Sequence, residues 1–319
     1  MQHSFELWTG YVVFVLLMLG VDLWVFHKES HKITIRESLT WTFIWIALSL
    51  IFGAGIYYFM GHQQGVDYFT GYLIEKSLSM DNIFVFLLIF KYFGVPPRYQ
   101  HDVLFYGILG ALIMRFLFII AGVALLNHFA WTIYIFGAFL VYTGVKMAFE
   151  KDKEVHPEKN PVLRVLRRIL PITHDFHEDN FFIKKNKKLI ATPLLVVLVV
   201  IETSDILFAV DSIPAILGIT RDTFIVFSSN VFAILGLRAL YFTLAGIMEK
   251  FYLLHYGLAG ILTFVGVKML IEDYVHIHTE ISLIVIAGLL TLSIVASLMF
   301  PARETKTEQE NMPSRQKEH

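Results

Sequence analysis

VIETSDILFAVDSIPAIL, Val200 to Leu217, sets Glu202, Asp205 and Asp211 into the continuation of PLLVVLV, one of the most apolar runs in the chain. A charge at the centre of a membrane helix costs roughly 2.5–3.5 kcal/mol on insertion scales. Carboxylates in such a run must therefore be held by something. Identifying what holds them decides both the fold class and the function.

The surroundings make this a membrane problem. Of 319 residues, 56% are hydrophobic and 15% aromatic, against about 45–50% apolar in an ordinary soluble domain. The apolar residues gather in runs of roughly 20, the length that crosses a hydrocarbon core of ~30 Å. Nine spans are expected, near 7–26, 39–60, 69–91, 103–126, 131–149, 191–213, 222–246, 252–272 and 281–299. Each is read as a helix, because a helix alone pairs its own backbone groups in lipid. The expected class is an all-α polytopic membrane protein. The first run lacks a basic leader and a small-residue cleavage site, so it is read as a retained helix. The sequence has no Cys, which excludes thiolate metal sites and disulfides among these residues.

Lys and Arg set the expected orientation. They lie after the first span (Lys28, Lys32, Arg36), after the third (Lys91, Arg98), densely through 150–190, after the seventh (Lys250) and in the tail; the loops between hold only Arg221. This alternation places the N-terminus outside and the C-terminus in the cytoplasm of an inner membrane, and an even number of spans would break it. Helices 1–5 occupy 1–149 and helices 6–9 occupy 191–300. Residues 150–190 form a charged cytoplasmic linker. Within it PVLRVLRRIL is basic and amphipathic, and either rests on the anionic leaflet or forms a short solvated helix. The polar tail, 301–319, is expected to be disordered.

An internal repeat organises the spans. Gly144-Val145-Lys146-Met147 recurs as Gly266-Val267-Lys268-Met269. The tripeptide ILG at 108–110 recurs at 234–236, each followed by an intramembrane arginine, Arg115 and Arg238. Glu75 and Asp81 are six residues apart, as are Asp205 and Asp211. Repeat one covers about 69–149 and repeat two about 191–272, three spans each. An odd number of spans inverts the second unit relative to the first, as in many secondary transporters, where substrate binds at mid-membrane between the repeats.

The intramembrane acids are Asp22, Glu75, Asp81, Glu202, Asp205 and Asp211. Lys76, Arg115 and Arg238 are candidates for charge pairing. Setting these three against the five acids of spans 3 and 6 leaves two negative charges. A divalent cation would balance them; the alternative is purely structural ion pairing. At 100° per residue Glu202, Asp205 and Ser212 share a face, with Asp211 about 100° away; Glu75 aligns with Asn82, with Asp81 offset. A helix break at Pro214, which cannot donate to the Val210 carbonyl, would turn Asp211 inward; Pro214 as a plain helix end is the other reading. Oxygen donors of this kind suit Mg, Ca or Mn. His174 and His177 read as linker residues, and His276 and His278 as an exposed helix end. Asp22 either snorkels or serves as a gate or proton site. Lys146 and Lys268 are read as snorkelling.

TGYLIEKSLSMDNIFVF, ETSDILFAVDSIPAI, SNVFAILGLRALYF and GVKMLIED resemble the TerC/Alx family of integral membrane proteins, over roughly residues 10–300 and with no departure in the acidic motifs. That family is named for tellurite resistance, is grouped with LysE-type transporters, and includes members implicated in manganese export. The resemblance implies that Glu75, Asp81, Asn82, Glu202, Asp205, Asp211 and Ser212 line a metal pathway carrying Mn²⁺ as substrate. The expected function is thus divalent cation export, with proton coupling through Glu202. An oxyanion handler using Arg115 and Arg238, and a membrane metallochaperone for secreted proteins, are the alternatives. No HExxH or GxSxG motif, nucleotide-binding motif or organic cofactor signature is present, so no enzyme is expected. The lipid bilayer and a divalent ion are the expected partners, with no nucleic acid; whether the chain forms an oligomer is left open.

Overall fold

The computed structural model describes residues 5–27, 35–149, 161–173, 176, 180–185, 188–244 and 253–299. The chain is mostly helical. In order it forms α1 (Phe5–His27), α2 (Ile35–Phe59), α3 (His62–Phe93), α4 (Pro97–His128), α5 (Thr132–Phe149), α6 (Pro161–Ile169), β1 (Phe182–Lys185), β2 (Lys188–Ala191), α7 (Pro193–Leu217), α8 (Thr223–Leu235), α9 (Leu237–Leu244), α10 (Leu254–Ile271) and α11 (Thr279–Met299). Six of these helices are long and apolar enough to cross a membrane, or seven when the bent pair α8–α9 counts as one span.

α3 carries charge well into its apolar run. It carries Asp67, Glu75, Lys76, Asp81 and Lys91. It can do so because α2, α7, α8 and α11 pack around it, and Tyr68, Ile74, Ile83 and Ile89 on it are fully buried. Neighbouring helices enclose its Asp67, Glu75 and Lys76, all buried. α4 lies along α7 and α8, and α5 along α10. The α5–α10 contact is a close backbone approach. A Cβ on Gly137 would lie 2.9 Å from the Gly266 carbonyl oxygen, and one on Gly266 would lie 2.7 Å from the Gly137 carbonyl oxygen. Gly144 meets the Ala259 carbonyl in the same way, at 2.7 Å. Residue numbers rise on one helix as they fall on the other, so the two cross antiparallel. Small residues at such a seam let helices associate by van der Waals contact where lipid offers no hydrophobic drive.

α1 and α2 seal the other side with rings. Trp8 stands edge-on to Phe224 at 5.4 Å, Tyr11 to Phe224 at 5.3 Å, and Phe52 lies 4.6 Å from Phe232.

Several expectations change. The all-α reading is amended by an antiparallel hairpin pairing Phe182 with Ala191 and Lys185 with Lys188. The amphipathic linker stretch is helix α6, which packs on α7 and buries Leu163. Pro214 does not break its helix: α7 runs on to Leu217, and the Gly218 N–H returns to the Pro214 carbonyl at 2.9 Å. The expected seventh span is instead the broken one, bent by 40° between α8 and α9 at Gly236. Lys268 does not snorkel; it is 3% exposed, whereas Lys146 in the first repeat is exposed. The tail at 301–319, His174 and His177 lie outside the described residues, as do the side chains of Asp22 and Asp81.

Candidate functional site

Four helices bring their intramembrane polar residues to one guanidinium. Arg115, at the middle of the unbroken α4, is 1% exposed. Its Nε donates to Asp205 Oδ2 at 3.2 Å and its Nη2 to Asp205 Oδ1 at 3.1 Å, a bidentate pair with α7. Its Nη1 donates to Glu75 Oε1 on α3. Nη1 also reaches Ser212 Oγ at 3.3 Å and Asn230 Oδ1 on α8 at 3.4 Å. Asn230 closes the circuit, its Nδ2 donating to Glu75 Oε2 at 3.0 Å. Glu75 is fully buried, and Asp205, Ser212 and Asn230 nearly so.

Helical period explains the convergence on α7. Asp205 and Ser212 are seven residues apart, hence on one face, and both meet Arg115. Glu202, on the same stripe, is half-buried and lies against α4 one turn earlier, where a Cβ on Gly110 would collide with its carboxylate. Residue 110 must lack a side chain for this carboxylate to fit. Among the described residues no cation lies within 4 Å of Glu202, so a pairing of Glu202 with Arg115 or Arg238 is not what this structure contains.

Electrostatically the network is one guanidinium between two carboxylates. Bidentate, charge-assisted hydrogen bonds are the strong kind. Removing one partner of a buried pair typically costs about 3–5 kcal/mol, because the other charge is left uncompensated. The two carboxylates also hold matching places in the sequence repeat: Glu75 precedes Asp81 by six residues as Asp205 precedes Asp211.

The remaining expected residues lie elsewhere. Asn82 is buried on α3, and Asp211 is half-buried and takes no part in the Arg115 network. Lys76 pairs with no described carboxylate; its Nζ donates to the Ala233 carbonyl at 3.3 Å. Arg238 approaches His101, Nη1 to Nε2, at 2.9 Å and lies over the Phe105 ring at 5.8 Å. The two arginines are therefore not equivalent. Arg115 follows its ILG by five residues and Arg238 by two, nearly a turn apart. His276 and His278 are exposed, and His276 reaches Glu272 at 3.3 Å. Among the described residues no group of three or more His, Asp or Glu is arranged to hold a metal ion.

Sequence reasoning passed over Asn230. The available signal was SSN within an apolar span, since an amide there needs a partner as a carboxylate does. It also passed over a second polar cluster at the N-terminal end of α3. There Gln63 Nε2 donates to Asp67 Oδ1 at 2.9 Å and to Thr279 Oγ1 at 3.1 Å, and the buried Lys268 faces Asp67 electrostatically.

Spanning helices around a sealed ionic network define a polytopic membrane protein with an intramembrane ionisable centre. The chain belongs to the TerC family: the model of the integral membrane protein TerC family matches residues 60–305. It is 52% identical over 307 residues to the "Uncharacterized membrane protein STKORF319" of Myxococcus xanthus, covering 96% of each chain. It is 48% identical over 298 residues to the "Putative membrane-bound redox modulator Alx" of Salmonella typhi, covering 91% of this chain and 92% of that one. To the protein of the same name in Escherichia coli (strain K12) it is 45% identical over 309 residues, covering 94% and 96%. No solved structure matches the chain.

Proposed function

We propose that this protein exports a divalent metal cation, Mn²⁺ foremost, across the cytoplasmic membrane. It is read as a transporter rather than an enzyme, with Glu75 and Asp205 as the mid-membrane carboxylates and Arg115 as their resident countercharge between transport events. The observation that carries this reading is the convergence of two repeat-matched carboxylates on one guanidinium. Such a meeting is expected where two inverted units share an axis, and the antiparallel crossing of α5 and α10 through Gly137 and Gly266 supports the same arrangement.

In this reading the chain crosses nine times, N-terminus outside and C-terminus in the cytoplasm. α3 and α7 are the first helices of the two units. Asp81, Asn82, Asp211, Ser212 and Glu202 extend the oxygen-lined path. Export against a negative interior needs about 2.3 kcal/mol per charge per 100 mV. Inward proton movement through Glu202, the carboxylate without a described cation beside it, supplies that work. The redox name carried by the Alx relatives cannot operate here through thiols, because this sequence has no Cys. The oxyanion alternative is disfavoured because Arg115 is already held by two carboxylates.

The test is Mn²⁺ flux from liposomes containing the full chain, under an imposed pH gradient. Wild type should move Mn²⁺, and Glu75→Gln and Asp205→Asn should each abolish flux while remaining in the bilayer. Normal flux in either variant sinks the shared site. Flux indifferent to the pH gradient at fixed potential, with normal Glu202→Gln, sinks the proton coupling.

A further inference from the structure

Two adjacent charged residues of α3 serve different turns of α8. Glu75 meets Asn230. Lys76, 7% exposed, meets the carbonyl of Ala233. Asn230 and Ala233 are three residues apart and so share a face of α8. Directly beyond them the helix breaks at Gly236. In a continuous helix the Ala233 carbonyl would accept from the N–H of Leu237. At the end of α8 it accepts from an ammonium instead. Residue 236 permits this: a Cβ there would lie 3.2 Å from Lys76 Nζ and 3.0 Å from Cβ of the buried Trp45.

The last carbonyls of a helix carry the negative end of its dipole. Half-helix C-termini inside transporters coordinate cations through such oxygens, and carbonyl oxygen suits hard divalent ions. The local charge adds to this. Glu75 and Asp205 set two negative charges against the single Arg115 guanidinium. The Lys76 ammonium stands at the break itself, on the carbonyl of Ala233.

We propose that the α8–α9 break is a second station for the transported cation, held in this state by the Lys76 ammonium as a tethered substitute. Cargo and Lys76 compete for the carbonyl end of α8, and the ion reaches Ala233 only as Lys76 withdraws. This rests on the export reading above and adds to it a site that the carboxylates alone do not define.

The experiment measures the Mn²⁺ concentration giving half-maximal initial flux in liposomes of the full chain. Wild type is compared with Lys76→Met, Lys76→Gln and Lys76→Arg; two neutral variants are used so that loss of one from the membrane leaves the other. Both neutral variants should lower that concentration about tenfold or more, as removal of a like charge a few ångströms away does at an effective dielectric constant of about 20. Their maximal rate should also fall, because an ion without its competitor leaves slowly. Lys76→Arg, which keeps the charge, should hold the half-maximal concentration well above that of the two neutral variants. A lysine that only caps α8 gives another pattern: less protein and lower thermal stability in the neutral variants, with the half-maximal concentration unmoved. That result overturns the station and leaves the export reading intact. Wild-type liposomes that move no Mn²⁺ overturn both.

Discussion

The two sequence-related halves differ most in their second helix. In the first half it is α4, 32 residues without interruption. In the second half the corresponding stretch is split into α8, of 13 residues, and α9, of 8. The unbroken helix carries Arg115, which fixes the positions of Glu75 and Asp205. The split one carries Asn230 on its longer piece and Arg238 on its shorter piece. One half thus holds the charge in place, and the other supplies a joint beside it. The export reading proposed above needs both, since a network rigid on every side could never release an ion.

The largest effect should come from the fixed half. Arg115→Met leaves two buried carboxylates facing each other, and should destabilise the protein by about 3–5 kcal/mol. Arg115→Lys should recover little, because an ammonium cannot reproduce the bidentate fork to Asp205. Arg238→Met removes, among its contacts, a hydrogen bond to a His nitrogen and a ring contact in place of a bidentate carboxylate pair, and should cost about 1–3 kcal/mol. Thermal unfolding of the three variants in one detergent checks the order. Equal losses at Arg115 and Arg238 would mean that the halves are energetically alike, and the comparison would fail.

A smaller effect sharpens how α4 and α7 fit. Gly110→Ala places a methyl where the Glu202 carboxylate lies, and should cost about 1–3 kcal/mol, as overpacking does. Glu202→Ala should relieve much of that loss when the two are combined, giving a clear coupling in a double-mutant cycle. Additive losses would place Glu202 away from Gly110.

The sequence revealed the helices better than the partners. The apolar runs lie over α1–α5, α7, α8–α9, α10 and α11 because run length and backbone pairing in lipid act locally. The shared face of Asp205 and Ser212 followed from helical period and meets Arg115. Which cation meets which acid was not legible, because it depends on where helices far apart in the chain cross. Lys76 shows this: it neighbours Glu75 in sequence, yet turns to a backbone carbonyl on α8 that no pattern of side chains announces. Lys268 shows it too. A lysine near the end of an apolar run reads as snorkelling, and only the packing around α10 and the presence of Asp67 make it a buried one.

The position of the break was not legible for a related reason, and this yields the smallest prediction. Proline is the strongest local signal of interruption, costing about 3 kcal/mol inside a helix through a lost N–H and a clash with the carbonyl four residues back. Pro214 lies only three residues before the last residue of α7, so little helix follows to be disrupted. Its ring instead lines an apolar cavity of about 510 Å³ with Phe118, Leu125 and Phe136, between α4, α5 and α7. Gly236 carries no comparable signal, yet the bend is there, and Trp45 and Lys76 occupy the space a side chain at 236 would need. Pro214→Ala regains one hydrogen bond to Val210 and loses a few ring contacts. The two terms oppose each other, and the net change should stay within about 1 kcal/mol in either direction. Gly236→Ala has no such offset and should cost about 1–3 kcal/mol through the clash. Unfolding temperatures of the two variants, measured together, separate the cases. A large loss at Pro214 with none at Gly236 would return the joint to α7, beside Asp211, and would remove the difference between the two halves.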